Sequence, residues 1–296
     1  MSAPGTFTVT APLKFQIGAR TLLALSRRLV RVAWTLDDAL DHRFKPLPSL
    51  GKADGYLLTS MPETLLTEIG TAGYVSYVRQ RYTRSWIDLT IGHAAWLATL
   101  SGNTRSGLKR KAKRLGGEVR AYRTAEEIAA FHAIARPLSA LTYQERLLGS
   151  GLPATPDVLI LAAEADAMRA WLLFHEGAPI AYLCCGSDGD TLLYNHVGHD
   201  PAFGHLSPGS VLQAEALRQL FADRFTRFDF TEGEGQHKRQ FATGGEPCVD
   251  LLLLRPTLGN RAALAALAGF DRAVASAKRA AGNGVLKRVG DRVRRA

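Results

Sequence analysis

The chain has 296 residues, 46 % of them apolar and 22 % charged, with a net charge of +10. That length supports a sizeable core, as one large domain or two small ones, without disulfide or metal staples. The three cysteines, Cys184, Cys185 and Cys248, are odd in number and lack C-x-x-C spacing, which excludes a disulfide framework and sets the expectation of a reducing, cytoplasmic compartment.

No apolar run approaches the roughly 18 residues that a membrane span needs. The start, MSAPGTFTVTAPLKF, lacks the charged and apolar regions of a secretory signal, so work on the cell envelope is expected from the inner side. The positive charge is concentrated. Residues 105–114 hold six bases and no acid, and residues 261–296 hold nine bases against two aspartates. Such blocks attract polyanions, anionic lipid or phosphate-bearing substrates, or are plain solvated helix faces.

Along the chain, Leu22, Leu25, Leu29, Val32 and Leu36 recur at three- and four-residue intervals, which predicts a basic amphipathic helix over about 19–41. KPLPSLGKADG breaks it. A strand follows at 56–59, then a hairpin of 74–82 and 86–89, rich in aromatic and β-branched residues. A helix is expected at about 94–100, and a basic one over SGNTRSGLKRKAKRL, ended by Gly116-Gly117. After a short strand at 118–122, Thr124 and Glu127 form a capping box for a helix that Pro137 stops. Thr155-Pro156 opens another helix, to about 167. RAWLLFH, PIAYLCCG and TLLYNHVG, joined by EGA and SDGD, read as an antiparallel meander. A loop leads to a helix at 210–221, a strand RFDFT, a last strand PCVDLLLLRP, and a basic helical tail from Ala262 with a break at 282–284. The organisation expected is a basic segment 1–45, two α/β units at 46–123 and 124–256, and a tail 257–296.

Two stretches carry chemistry. In HLSPGSVLQAEALRQLF a loop opens into a helix, whose free N–H groups and dipole suit an anion such as pyrophosphate. Ser207 can cap it, Pro208 suits its first turn, Gly209 admits a ligand and Ser210 follows; the plain alternative is an ordinary capped helix. In FDFTEGEGQHKRQF, Phe228 and Phe230 alternate with Asp229, which places the rings on one side and the carboxylate on the other. Glu232 and Glu234 follow on a glycine-freed loop, and then come His237 and Lys238. Clustered acids and bases shift one another's pKa and can supply a general base; the alternative is a salt-bridged surface loop. His196, His199 and His205 lack the spacing of a zinc site, so no metal is expected. Cys184 and Cys185 sit side by side in a strand, facing opposite sides, and are expected to pack in the core.

Taken in order, SGNTRSGLKRKAKRL, GAPIAYLCCG, LLYNHVGHDPAFGHLSPGSVL and FDFTEGEGQHKRQFAT resemble the GNAT acyltransferase superfamily in its Fem-like and CelD-like branch, over about residues 56–255. The resemblance implies an α/β fold with a mixed, mainly antiparallel sheet flanked by helices, arranged as two GNAT-like units with the first degenerate. It implies an N-acyltransferase with a thioester co-substrate, acyl-CoA or an acyl carrier protein, and an amine acceptor. It implies backbone donors from the strand 194–198, with Val197 as the oxyanion donor, and carrier binding at Ser207, Pro208, Gly209 and Ser210. The family's final Asp and Lys fall on Asp229 and Lys238, with His237 where the family usually has Tyr. Glu232, Glu234 and His237 remain open as the base. The branch often serves the envelope, so the acceptors expected are a polysaccharide amino sugar or a long-chain amine lipid. The tail stripes Leu264, Leu267, Phe270, Val274 and Val285, Val289, Val293 fit either a peripheral helix on an anionic inner membrane or a helix packed on the fold. The alternative function is a catalytically inactive binding protein for an anionic polymer or membrane surface. Nucleic acid is not the expected partner.

Overall fold

The computed structural model describes residues 6–17, 20–142, 145, 151–233 and 235–282. The chain clusters into two compact units, residues 1–81 with 248–296, and residues 82–247. Their limits are set by contacts and fall at different points from the segments read along the sequence.

The first unit begins with β1 (Thr6–Ile17) and β2 (Arg20–Ala33), an antiparallel hairpin with an irregularity at Phe15/Gln16. The helix expected over 19–41 is therefore a strand, followed by one short helix, α1 (Leu36–Leu40), capped by Thr35 and Asp38. The reason lies in the end of β2, from Leu29 onward, which is covered on both faces, while Leu22 and Leu23 are exposed. Val30, Val32 and Trp34 pack with Tyr56, Leu58 and Met61, while Leu29 joins Leu13, Leu57 and Leu252 on the other side. Leu25 and Leu29, four apart, share a face in a strand as well as in a helix, so the spacing did not discriminate. β3 (Gly55–Pro62) runs parallel to β2.

β4 (Val75–Asp88) is one fourteen-residue strand where a hairpin was expected, and it leads into the second unit. The segment between Tyr82 and Trp86 has no Gly, Pro, Asn or Asp to favour a turn, and Arg84 and Ser85 are buried. α2 (His93–Thr99) and α3 (Gly102–Leu115) follow; Ser101 caps α3 and Gly116, left-handed at φ 60°, ends it. Then come β5 (Glu118–Tyr122) and α4 (Ala125–Ala140), started by the Thr124–Glu127 capping box. Pro137 sits inside the last turn of α4 and does not stop it, as the helix runs to Ala140. α5 (Asp157–Glu164) leads to the meander β6 (Met168–His175) and β7 (Ala178–Asp188). Its expected third strand is two, β8 (Thr191–Leu193) and β9 (His196–His199). After a turn of 3-10 helix come α6 (Pro208–Leu220), β10 (Arg227–Asp229) and α7 (Gln236–Phe241).

Within the second unit the strand order is β4-β10-β8-β7-β6-β5, antiparallel except for β8 beside β10, with β9 on β7. One face packs Leu183, Cys185, Phe228 and Phe230 with Leu212 and Leu217 of α6; the other packs Cys184 and Tyr182 with Phe131 of α4. The adjacent cysteines thus enter opposite cores, and burial pushes the Cys184 thiol up to about 12.

β11 (Gly244–Leu254) returns the chain to the first unit, where it pairs antiparallel with β3. α8 (Leu258–Gly282) closes it. Its stripe is packed on the fold: Leu264 and Leu267 are buried and Phe270 meets Phe15 edge-on. The second tail stripe, Val285, Val289 and Val293, lies outside the described residues. Among the described residues no helix is long and apolar enough to cross a membrane.

Candidate functional site

The sheet of the second unit opens between β8–β9 and β10. The parallel ladder of β8 and β10 ends at Leu193 beside Asp229, and the Tyr194 N–H still donates to the Asp229 carbonyl at 2.9 Å. Beyond that point the chains part. Phe230 N–H donates to Ser85 on the β4 side at 3.0 Å, while β9 follows β7. Asn195 stands at the break and its side-chain oxygen accepts the Gly186 N–H at 2.8 Å, which replaces a ladder bond.

The pairing of β9 fixes where its N–H groups point. Asp200 N–H donates to the Ile180 carbonyl, so residues of the same parity, Gly198 and His196, face β7. Antiparallel pairs alternate, hence Val197 and His199 turn their N–H groups to the opposite edge. Among the described residues β9 has β7 as its one strand partner, so the Val197 N–H turns to the edge of β9 away from β7.

That loop is held from below. Asp229 is fully buried and forms an ion pair with Arg84, itself buried, through Nη2 at 2.5 Å and Nε at 3.1 Å. Its other oxygen accepts the Thr231 N–H at 2.8 Å, with Thr231 at the left-handed φ of 60°. Asp229 was expected to bind or deprotonate an amine; it is instead spent on Arg84 and on the turn. Lys238 is buried too. Its Nζ donates to the carbonyls of Phe230 (2.8 Å), Glu232 (2.6 Å) and Gly233 (3.1 Å), which uses all three ammonium donors. Burial lowers the Lys238 pKa, opposed by the charges of Asp229 and Glu232. Gly233, at φ 85°, takes a conformation that favours glycine. Glu232 is exposed above this clamp. Glu234 and the His237 side chain lie outside the described residues.

The start of α6 is the second component. Ser207 is left-handed at φ 57° and makes no side-chain cap, contrary to expectation; Pro208 occupies the first turn. A Cβ on Gly209 would meet nothing within 4 Å, so protein packing does not demand glycine there. α3 supplies cations: Lys111 Nζ lies 3.3 Å from Ser210 Oγ, and Arg114 donates to the His205 carbonyl at 2.5 Å. A cation at the positive end of a helix costs about 0.3–1 kcal/mol unless an anion lies between. The groups present therefore fit the phosphates of a carrier such as coenzyme A. A polar cavity of about 230 Å3 adjoins them, lined by Asn103, Thr104, Lys111, Ser210 and Gln240. Ser210 thus shares a cavity with the helix that carries Lys238, although Asp229 and Lys238 do not line it.

Arg84 and Lys111 were not singled out in the sequence. A lone base between Tyr82 and Trp86 in a β-rich run was the available signal for the first, and the 105–114 block contained the second. The histidines do not converge: among the described residues no group of three His, Cys, Asp or Glu could hold a metal.

Residues 102–239 match the family model described as an acetyltransferase (GNAT) domain. The C-terminal DUF2156 domain of an Agrobacterium fabrum protein assigned as a lysylphosphatidylglycerol synthetase shares the fold at a TM-score of 0.52 and 14 % identity, over 72 % of this chain and 71 % of that one. FemX does so at 0.52 and 11 % identity, over 84 % and 88 %. A conserved Bacteroides thetaiotaomicron protein of unknown function aligns at 0.50 and 12 %, over 78 % and 82 %. No curated protein matches the sequence. A stretch of the second unit thus matches a GNAT acetyltransferase domain model, and the chain shares its fold with FemX.

Proposed function

We propose that this protein is an N-acyltransferase that moves an acyl group from a thioester, acyl-CoA or an acyl carrier protein, to the primary amine of an envelope precursor, an amino sugar or a long-chain amine lipid. The observation that carries this reading is the edge of β9 away from β7, to which the Val197 N–H turns, in the same unit as the clamped 230–233 loop. The Val197 N–H donates to the thioester carbonyl oxygen and stabilises the oxyanion as the amine attacks. The C–N bond forms, the C–S bond breaks, and the thiol leaves with a proton. Glu232, exposed on the loop, takes the amine proton directly or through water; Glu234 and His237 are the other candidates. Lys111, the Ser210 hydroxyl and the Gly209 N–H hold the carrier phosphates. The envelope acceptor draws support from the names of the fold relatives, and a peripheral position on an anionic membrane is part of the same reading.

The test is thiol release from acyl-CoA with mixtures of amines. Glu232→Gln lowers turnover at least tenfold with the thermal midpoint unchanged, read alongside the wild type. Absence of thiol release from the wild type with any acyl thioester, together with group transfer from aminoacyl-tRNA, would replace the thioester donor by an aminoacyl one. Absence of both would leave the binding-protein alternative.

A further inference from the structure

A cleft of about 440 Å3 lies where α2, α3, the start of β5 and α6 meet. This is the size of a small-molecule site. Leu97, Leu108, Val119 and Val211 line it; all four pack against the main core of the unit yet stay half-buried on the cleft side. A cleft that keeps four aliphatic side chains open invites an apolar occupant.

The polar groups at its mouth are mostly cationic. Glu215 is the one acid among its described lining residues, and Arg218 already engages it, with Nη2 at 2.6 Å and Nε at 2.9 Å. Arg105 donates to the Leu97 carbonyl at 3.1 Å, and neither Arg105 nor Lys109 has a carboxylate partner among the described residues. A trough of hydrocarbon with two uncompensated cations at its rim matches an aliphatic chain that ends in an anion. A bare anion would leave the trough unused, and an apolar ligand would leave the cations unmatched.

We propose that this cleft binds a single chain of an anionic lipid, with its head at Arg105 and Lys109. The site is distinct from the acyl-transfer site, since neither Val197 nor the 229–238 segment lines it, although Leu108 borders both this cleft and the polar cavity at Ser210. The proposal does not depend on which group is transferred, because binding is measured without turnover.

The full chain is titrated by calorimetry with dodecyl phosphate, hexyl phosphate and dodecyltrimethylammonium, each below its micelle concentration. Each methylene buried strengthens binding about fourfold, so dodecyl phosphate binds at least tenfold more tightly than hexyl phosphate, and at least tenfold more tightly than the ammonium of equal chain. Ala112 lies on the exposed side of α3 and lines the cleft; Ala112→Phe fills it and abolishes dodecyl phosphate binding with an unchanged thermal midpoint. The double variant Arg105→Glu, Lys109→Glu weakens that binding at least tenfold. Equal binding of the two phosphates, equal binding of the ammonium, or undiminished binding by Ala112→Phe overturns the proposal. Ala214→Leu, on the α6 wall, takes the place of Ala112→Phe should the latter fail to fold.

Discussion

At the scale of single residues, Arg84 and Asp229 show how a charged pair can serve a site without touching the substrate. Both are buried, and the pair anchors the turn from which Glu232 projects. Breaking such a pair from one side leaves an uncompensated buried charge, at a cost of about 3–5 kcal/mol. Asp229→Asn is therefore expected to lower unfolding free energy by about 3 kcal/mol in a urea titration, while the double variant Arg84→Met, Asp229→Leu loses much less. The sequence made Asp229 conspicuous, because it alternates with two phenylalanines that do enter the core. It could not reveal the partner, which lies 145 positions away and belongs to a strand first read as a hairpin. Lys238 was legible in the same limited way: its type and position stood out, but its role as a clamp on three backbone carbonyls depends on a loop geometry that no pattern encodes. His196 adds a pH dependence. Burial holds its pKa below the ordinary value, against a hydrogen bond to the Gly151 backbone, and its Nδ1 has no partner among the described residues. The unfolded chain then binds the extra proton first, so stability falls as pH drops through about 6.5 toward the folded value. His196→Phe flattens that slope in denaturation curves taken from pH 7.5 to 5.

At the scale of elements, the pairing of α3 with the start of α6 decides whether an anion is held. Gly209 and Lys111 separate this claim from mere packing. Gly209 has room for a methyl group and an ordinary backbone conformation, so Gly209→Ala is expected to leave stability within about 0.5 kcal/mol of the wild type. A methyl group there still crowds a ligand that approaches the N–H groups, so KM for acyl-CoA rises several-fold. Lys111→Glu raises it at least tenfold, and of the two shifts only this one shrinks at high salt. An unchanged KM in both variants removes this helix start from the carrier site. The elements that the sequence described best were those with chemical punctuation: the Thr124 capping box, the Gly116 helix end and the tight turns of the meander. It failed at β2, whose end from Leu29 is covered on both faces so that the two-residue alternation is hidden there, and at β9, where the divergence from β10 is a tertiary event.

At the scale of the whole molecule, the basic tail poses the question of what the charge of +10 does. α8 is part of the first unit's core: Leu264 and Leu267 are buried with Leu13, Leu29 and Leu254, and the Tyr77 hydroxyl bonds to Asp271. A chain ending at Asn260 loses these apolar contacts, and two buried leucines alone are worth about 3–6 kcal/mol on transfer. Its failure to bind liposomes would then report unfolding as readily as a lost anchor. A chain ending at Gly282 removes none of those side chains but takes away Lys287, Arg288, Arg292, Arg294 and Arg295 with Asp291, which lowers the net charge from +10 to +6. If the terminal bases hold the protein on an anionic surface, at roughly 1 kcal/mol per base near the membrane, this shorter chain keeps its thermal midpoint and acyl-transfer rate on a soluble amine. It loses at least tenfold in affinity for vesicles rich in phosphatidylglycerol, with no change on neutral vesicles. Undiminished binding to the anionic vesicles assigns the attraction to the second block, residues 105–114, where the charge surrounds the lipid cleft.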